Sequence, residues 1–168
     1  MYTAKGLAGG YAPLGAAIIS ERIYQAIASA FGTLATVHTY SGHTAACAAG
    51  LAVQKIIVRD GLVEKCRRDG EYLMKRLHDE FGQHPFVGDI RGRGLFVALE
   101  FVQDRETKGP FPAERGLYAK VRDEAFARGL LCYPSPGTVD GYSGDHVLLS
   151  PPYTISRDEI DQMVDLLK

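Results

Sequence analysis

Ala4-Lys5-Gly6-Leu7-Ala8-Gly9-Gly10-Tyr11-Ala12-Pro13-Leu14-Gly15 stands near the start of a chain of 168 residues. One lysine sits among small residues, and glycines follow it. Such a setting can shield an amine from water and bring other positive charge close to it. Both effects favour the neutral amine over the ammonium. A neutral amine forms a Schiff base with an aldehyde. The glycines let the backbone approach a flat ligand. In a generic Lys-Gly pair, a solvated lysine on a loop is the commoner arrangement. The length of this string turns the reading toward chemistry.

Composition around the string is ordinary. Apolar residues make up 46% and charged residues 23%, near the average of soluble globular proteins. Disorder, collagen and a disulfide scaffold are therefore excluded as classes. Lys+Arg is 19 and Asp+Glu is 20, a net charge of -1. That balance supports no nucleic-acid partner and no polybasic membrane contact. Cys47, Cys66 and Cys132 form no C-x-x-C pair. They are expected to be free thiols in a reducing compartment, mostly buried as small hydrophobes, with no metal site. MYTAKGLAGG contains no apolar signal core, and no apolar run reaches about 18 residues. A soluble, cytoplasmic chain is the expectation. Glycine is in surplus, 19 of 168 residues.

Outward from the lysine string, AAIIS at 16–20 suits a short buried strand. Ser20 then caps a helix to about Ala30, and FGTLATVHTYSG at 31–42 is a hydroxyl-rich loop. A small-residue helix starts at His43 and breaks at Asp60-Gly61. The spacing predicts a second helix from Leu62 to Phe81 with Leu62, Cys66, Leu73 and Leu77 on one face, closed by Gly82. Strands are expected at 86–90, 94–102, 130–133 and 147–150, with a helix from Arg115 to Ala127 and a turn-rich loop at 134–146. Ser156 and Glu159 make a capping box for a last helix. A break near 58–61 separates a glycine-rich piece from a sheet of three or four strands covered by helices.

Three further strings carry candidate chemistry. Val37-His38-Thr39-Tyr40-Ser41-Gly42-His43 places hydroxyls and backbone amides before a helix N-terminus, which suits either an anion site or an ordinary cap. Asp89-Ile90-Arg91-Gly92-Arg93-Gly94 precedes a strand, so its G-x-G is no dinucleotide fingerprint. Its glycines are read as structural, and Arg91 as an exposed or paired structural residue, with contact to a carboxylate as the alternative. In Gly144-Asp145-His146-Val147 the histidine is read as part of a turn and strand, and His78 and His84 as solvated helix-end residues.

The lysine string resembles the K-G-L-x-G-G-Y-x-P-L-G-A motif of the class III pyridoxal-phosphate aminotransferases, subgroup II, fold type I. The match covers Lys5, Gly6, Leu7, Gly9, Gly10, Tyr11, Pro13, Leu14, Gly15 and Ala16. Residues 39–49 resemble the family's T-Y/F-x-G-H/N-P-x-A-C-A-A stretch, with Thr44 in place of the proline. Residues 89–100 and 144–152 resemble the segments that open the small domain and follow within it. The resemblance implies an α/β to α+β chain, the C-terminal part of a fold type I transferase. Residues 1–59 would be the remnant of the large cofactor-binding domain, and residues 60–168 the small C-terminal domain. It implies pyridoxal 5'-phosphate as cofactor, held by Lys5 as the catalytic residue. Thr39 would bind the cofactor phosphate of a neighbouring subunit, and His38 would line that subunit's substrate pocket. It also implies a homodimer with shared active sites. Amino groups would pass between an amine or amino acid and a keto acid or aldehyde.

The family's aspartate for the pyridine nitrogen, its stacking aromatic and its phosphate loop lie upstream of the matched part. No arginine occurs in 130–146, where many relatives place a carboxylate-binding one. The isolated chain is therefore expected to be inactive. An inactive fragment or interaction module is one alternative, and a family aminomutase or decarboxylase is another. The apolar faces of 16–30 and 43–57 are expected to need another partner, by oligomerisation or local rearrangement, whereas residues 60–168 are expected to fold nearly normally.

Overall fold

The computed structural model describes residues 1–33 and 37–168. Residues 34–36 of the expected 31–42 loop lie outside the described residues. The chain divides into two compact units, Met1–Gly61 and Leu62–Lys168.

In the first unit, β1 (Tyr2–Thr3) pairs antiparallel with β2 (Ala16–Ala17), in the register Tyr2 to Ala17 and Thr3 to Ala16. The Met1 ammonium donates to the Ile18 carbonyl at 2.7 Å, and the Ile18 amide donates to the Met1 carbonyl at 2.8 Å. These bonds close a loop that carries the whole lysine string. The strand expected at 16–20 is thus only two residues long, and both are exposed rather than buried. Ile18 and Ile19 also stay exposed. Within this unit only a two-residue strand borders them, so the apolar run finds nothing to pack on.

α1 (Glu21–Phe31) starts after Ser20, which is extended but makes no side-chain capping bond, and stops at Gly32 in the left-handed region. It buries none of its residues. α2 (Thr44–Arg59) begins at His43 and ends at Asp60-Gly61. Its small residues allow close approach. A Cβ at Gly50 would stand 2.5 Å from Leu14 Cδ2, so a side chain there would require Leu14 to shift.

The second unit opens with α3 (Leu62–Phe81), at the expected bounds, with Leu62, Leu73 and Leu77 buried. β3 (Val87–Arg93) and β4 (Phe96–Phe101) form a hairpin. α4 (Leu117–Ala127), β5 (Tyr133–Pro136), β6 (Asp145–Leu149) and α5 (Arg157–Leu167) follow. The four strands make one antiparallel sheet in the order β3-β4-β6-β5. One face carries Val97, Leu99, Val147 and Leu149, which pack with Leu73, Leu77, Ile160 and Val164 of α3 and α5 in a common core.

Several expectations shift. The strand placed at 130–133 instead begins at Tyr133 and runs into the presumed 134–146 loop. Pro134 and Pro136 are tolerated because β5 is an edge strand, where missing amides disturb no ladder on the outer side. The strand expected from Gly94 starts at Phe96, because Gly94-Leu95 is the hairpin turn, with Gly94 at φ 57. A Cβ on Gly70 of α3 would come within 2.3 Å of the Gly94 carbonyl carbon, so helix and hairpin meet backbone to backbone. Gly82 follows α3 without a left-handed φ. A Cβ there would stand 2.4 Å from the His78 carbonyl oxygen. The capping box of α5 forms: Glu159 N–H donates to Ser156 Oγ at 3.2 Å, and Ser156 N–H donates to Glu159 Oε2 at 2.7 Å.

All three cysteines are free, but Cys47 is exposed rather than buried. Cys66 and Cys132 are half-buried, and burial pushes the Cys132 thiol pKa up. Among the described residues, no helix is long and apolar enough to cross a membrane, and no group of three metal-ligating side chains comes together.

Candidate active site

Lys5 takes φ 52, a left-handed conformation that side-chain-bearing residues rarely adopt. Such strain persists only where the surroundings enforce it. Here it opens a short 3-10 turn, Lys5–Ala8, followed by Gly9 and Gly10, both with positive φ. Amides of Leu7, Gly9 and Tyr11 donate to the carbonyls of Ala4, Gly6 and Ala8 at 3.0–3.1 Å. Ala8 is fully buried, and Leu14 packs beside Gly50 of α2. Gln54 of α2 donates to the Leu7 carbonyl at 3.0 Å.

The Lys5 side chain itself is exposed and makes no hydrogen bond or ion pair among the described residues. The shielding anticipated from its small neighbours is not supplied by this unit. Gly6 and Gly10 leave open space around them, and small residues cannot cover a long amine.

The second string forms two linked turns. Ser41 N–H donates to the His38 carbonyl at 2.9 Å, and His38 N–H donates to Ser41 Oγ at 3.0 Å. His43 N–H donates to the Tyr40 carbonyl at 3.2 Å. His43 then caps α2, its Nδ1 accepting from Ala46 N–H at 3.2 Å. This bond requires the neutral tautomer with its proton on Nε2. Thr39 is exposed on the first turn, just ahead of the helix N-terminus, which favours negative charge.

A cleft of about 1070 Å³ lies within this unit. Tyr11 and Pro13 of the lysine string border it together with His38, Tyr40 and His43. His38 is therefore brought beside the glycine-rich loop, whereas Lys5 and Thr39 are not part of that lining. Two contributors escaped the sequence reading. The sequence reads His43 as the start of a helical pattern, and a polar side chain directly ahead of the small-residue run TAACAAG is the available signal for a cap. Gln54 carried no local signal, since its partner lies 47 residues away.

The remaining candidates have structural partners. Arg91 Nη1 donates to Asp89 Oδ2 at 2.8 Å and Glu100 Oε2 at 2.5 Å. Both carboxylates push the guanidinium pKa further up. His146 lies in β6 opposite Glu100 and Ser135, and its Nδ1 is buried with no hydrogen-bond partner among the described residues. His84 Nδ1 accepts from Phe86 N–H at 3.3 Å.

The donor set fits the implied cofactor. An aldehyde needs an uncommitted amine, and Lys5 offers one. A phosphate needs a hydroxyl donor near positive potential, and the exposed Thr39 hydroxyl ahead of α2 offers that.

The family described as aminotransferase class-III matches residues 1–168. An aminotransferase of Gibberella zeae is 48% identical over 166 residues, which cover 98% of this chain and 32% of the relative. An uncharacterized aminotransferase of Schizosaccharomyces pombe is 46% identical, covering 98% and 36%. Among solved structures, a transaminase from the marine bacterium Virgibacillus superposes with TM-score 0.91 at 33% identity, over 99% of this chain and 37% of that one. An amine transaminase from an uncultivated Pseudomonas species, in its PLP-bound form, gives TM-score 0.88 at 36% identity, over 99% and 36%. The chain spans about a third of the length of these relatives. With the four strings in place and the family match running from end to end, the chain belongs to the class III aminotransferases.

Proposed function

We propose that this chain contributes the lysine half of a pyridoxal-phosphate-dependent aminotransferase active site. The observation that carries the reading is Lys5. Its backbone is forced left-handed at the head of a glycine-flanked turn, and its amine is uncommitted among the described residues. Residues 1–59 would belong to the cofactor-binding domain, and residues 60–168 would be the small domain of a cytoplasmic homodimer.

When bound, pyridoxal 5'-phosphate supplies the electron sink for breaking a bond at the substrate carbon. The protein groups do the rest. Lys5 Nζ would hold the cofactor and, when free of it, would serve as the base that accepts a proton from the substrate carbon and gives it back. Thr39 Oγ1 would hold the phosphate presented by the neighbouring subunit. His38 borders that subunit's substrate pocket. The substrates are an amine or amino acid and a keto acid or aldehyde.

Exposure of Lys5 supports weak cofactor affinity and no turnover for residues 1–168 alone. Adding pyridoxal 5'-phosphate tests the assignment of the lysine. A visible absorbance band that Lys5→Ala removes supports it, and a band of equal strength in Lys5→Ala overturns it.

A further inference from the structure

We infer that Gln54 is a positioning residue for Lys5: it fixes the left-handed turn that presents the amine. The inference rests on the assignment of Lys5 under Proposed function and adds to it a residue remote in sequence.

The turn from Ala4 to Tyr11 is held internally by three local backbone bonds, and its ends are tied by the β1–β2 pair. None of these fixes the turn against the helix it lies on. The other contacts are apolar, with Val53 of α2 beside Gly9 of the turn and Gly50 of α2 beside Leu14 just after it. Contact between small apolar groups sets a separation but leaves sliding and rotation nearly free, because it is not directional. A hydrogen bond is directional, weakening steeply as its angle departs from linear. Among the described residues, the Gln54 bond to the Leu7 carbonyl, at 3.0 Å, is the only hydrogen bond from α2 to this turn. Leu7 lies two residues from Lys5, inside the same 3-10 turn. A strained φ at Lys5 needs such an external restraint to persist. Val53, the neighbouring residue of α2, would stand 3.3 Å from a Cβ at Gly9, so the far end of the turn is confined as well.

The restraint is chemically specific. It needs a donor long enough to span from the helix to the loop. Leucine at position 54 would keep the volume and lose the donor. Arginine would keep a long donor.

The test uses the 168-residue chain, incubated with pyridoxal 5'-phosphate and treated with borohydride, which adds hydride to the carbon–nitrogen double bond formed with loss of water. Peptide mass mapping gives the ratio of modification at Lys5 to that at Lys55, an exposed lysine of α2 outside the turn. Amide hydrogen exchange at Leu7, Gly9 and Tyr11 reports the turn without the cofactor. Gln54→Leu is expected to lower the Lys5:Lys55 ratio roughly 2- to 10-fold, the span of one net hydrogen bond, and to speed exchange at the three amides. Gln54→Arg is expected to restore both. An unchanged ratio in Gln54→Leu overturns the inference even if exchange quickens, since Gln54 would then serve local structure alone. So does a ratio that falls equally in both variants. A ratio of one in the unsubstituted chain overturns the assignment of Lys5, and this inference with it.

Discussion

Residues 62–168 and residues 1–61 differ in composition as well as in organisation, the earlier unit being rich in alanine and poor in charged residues. The later unit buries Leu73, Leu77, Leu99, Leu149, Ile160 and Val164 at no more than 2% exposure. Among the described residues of the earlier unit, the buried hydrophobic ones are Ala8 and Ala46. Ile18, Ile23, Tyr24, Leu51 and Ile56 are all more than 40% exposed there. Apolar burial drives folding at about 25 cal/mol per Å², so the two units differ in what holds them. The later one has a core. The earlier one relies on directional bonds and small-residue contacts around α2, and it carries the candidate chemistry.

The largest expected effects lie in the core of the later unit. Leu77→Ala should cost about 2–5 kcal/mol in denaturant unfolding of that unit, whereas Leu51→Ala in the earlier unit should stay within about 0.5 kcal/mol. Similar losses at both sites would erase the contrast. Gly70→Ala should cost about 1–3 kcal/mol, because the new methyl meets the Gly94 backbone.

At the helix that carries the turns, His43→Ala should lower stability of α2 by about 1 kcal/mol through loss of its cap, and His43→Asn should retain it. Equal helix content in the two variants by circular dichroism would contradict the cap. The smallest effect is acidic. Arg76 and then Tyr72 hydrogen-bond Asp161 and hold its carboxyl below its usual pKa, and the Ser156 backbone amide does the same for Glu159. Groups depressed in the folded state add stability that is present above their unfolded pKa and lost as pH falls through the folded one. The later unit should therefore weaken below the ordinary carboxylate range. Asp161→Asn should flatten part of that slope in an acid titration followed by circular dichroism.

Much of this was legible in the sequence where the signal is local. The bounds of α3 follow from the Asp60-Gly61 break and the 3.6-residue stripe, and the capping box of α5 from Ser156 and Glu159. Lys5 was legible because the string around it is long. What escaped depends on tertiary partners. AAIIS has the composition of a buried strand, yet its unit supplies only two residues to pair with. Pro134 and Pro136 argue against a strand until β5 is known to be an edge. Gln54 matters only once Leu7 lies across the helix from it. Those partners are remote in sequence, and local propensity does not encode them.

The central claim is that cofactor chemistry resides in the earlier unit and is framed by α2, with the later unit independent of it. Hydrogen exchange of the whole chain, with and without saturating pyridoxal 5'-phosphate, tests this most directly. The account predicts slowed exchange confined to residues 4–16 and 37–46, absent in Lys5→Ala. Protection spread over residues 62–168, or persisting in Lys5→Ala, would contradict it.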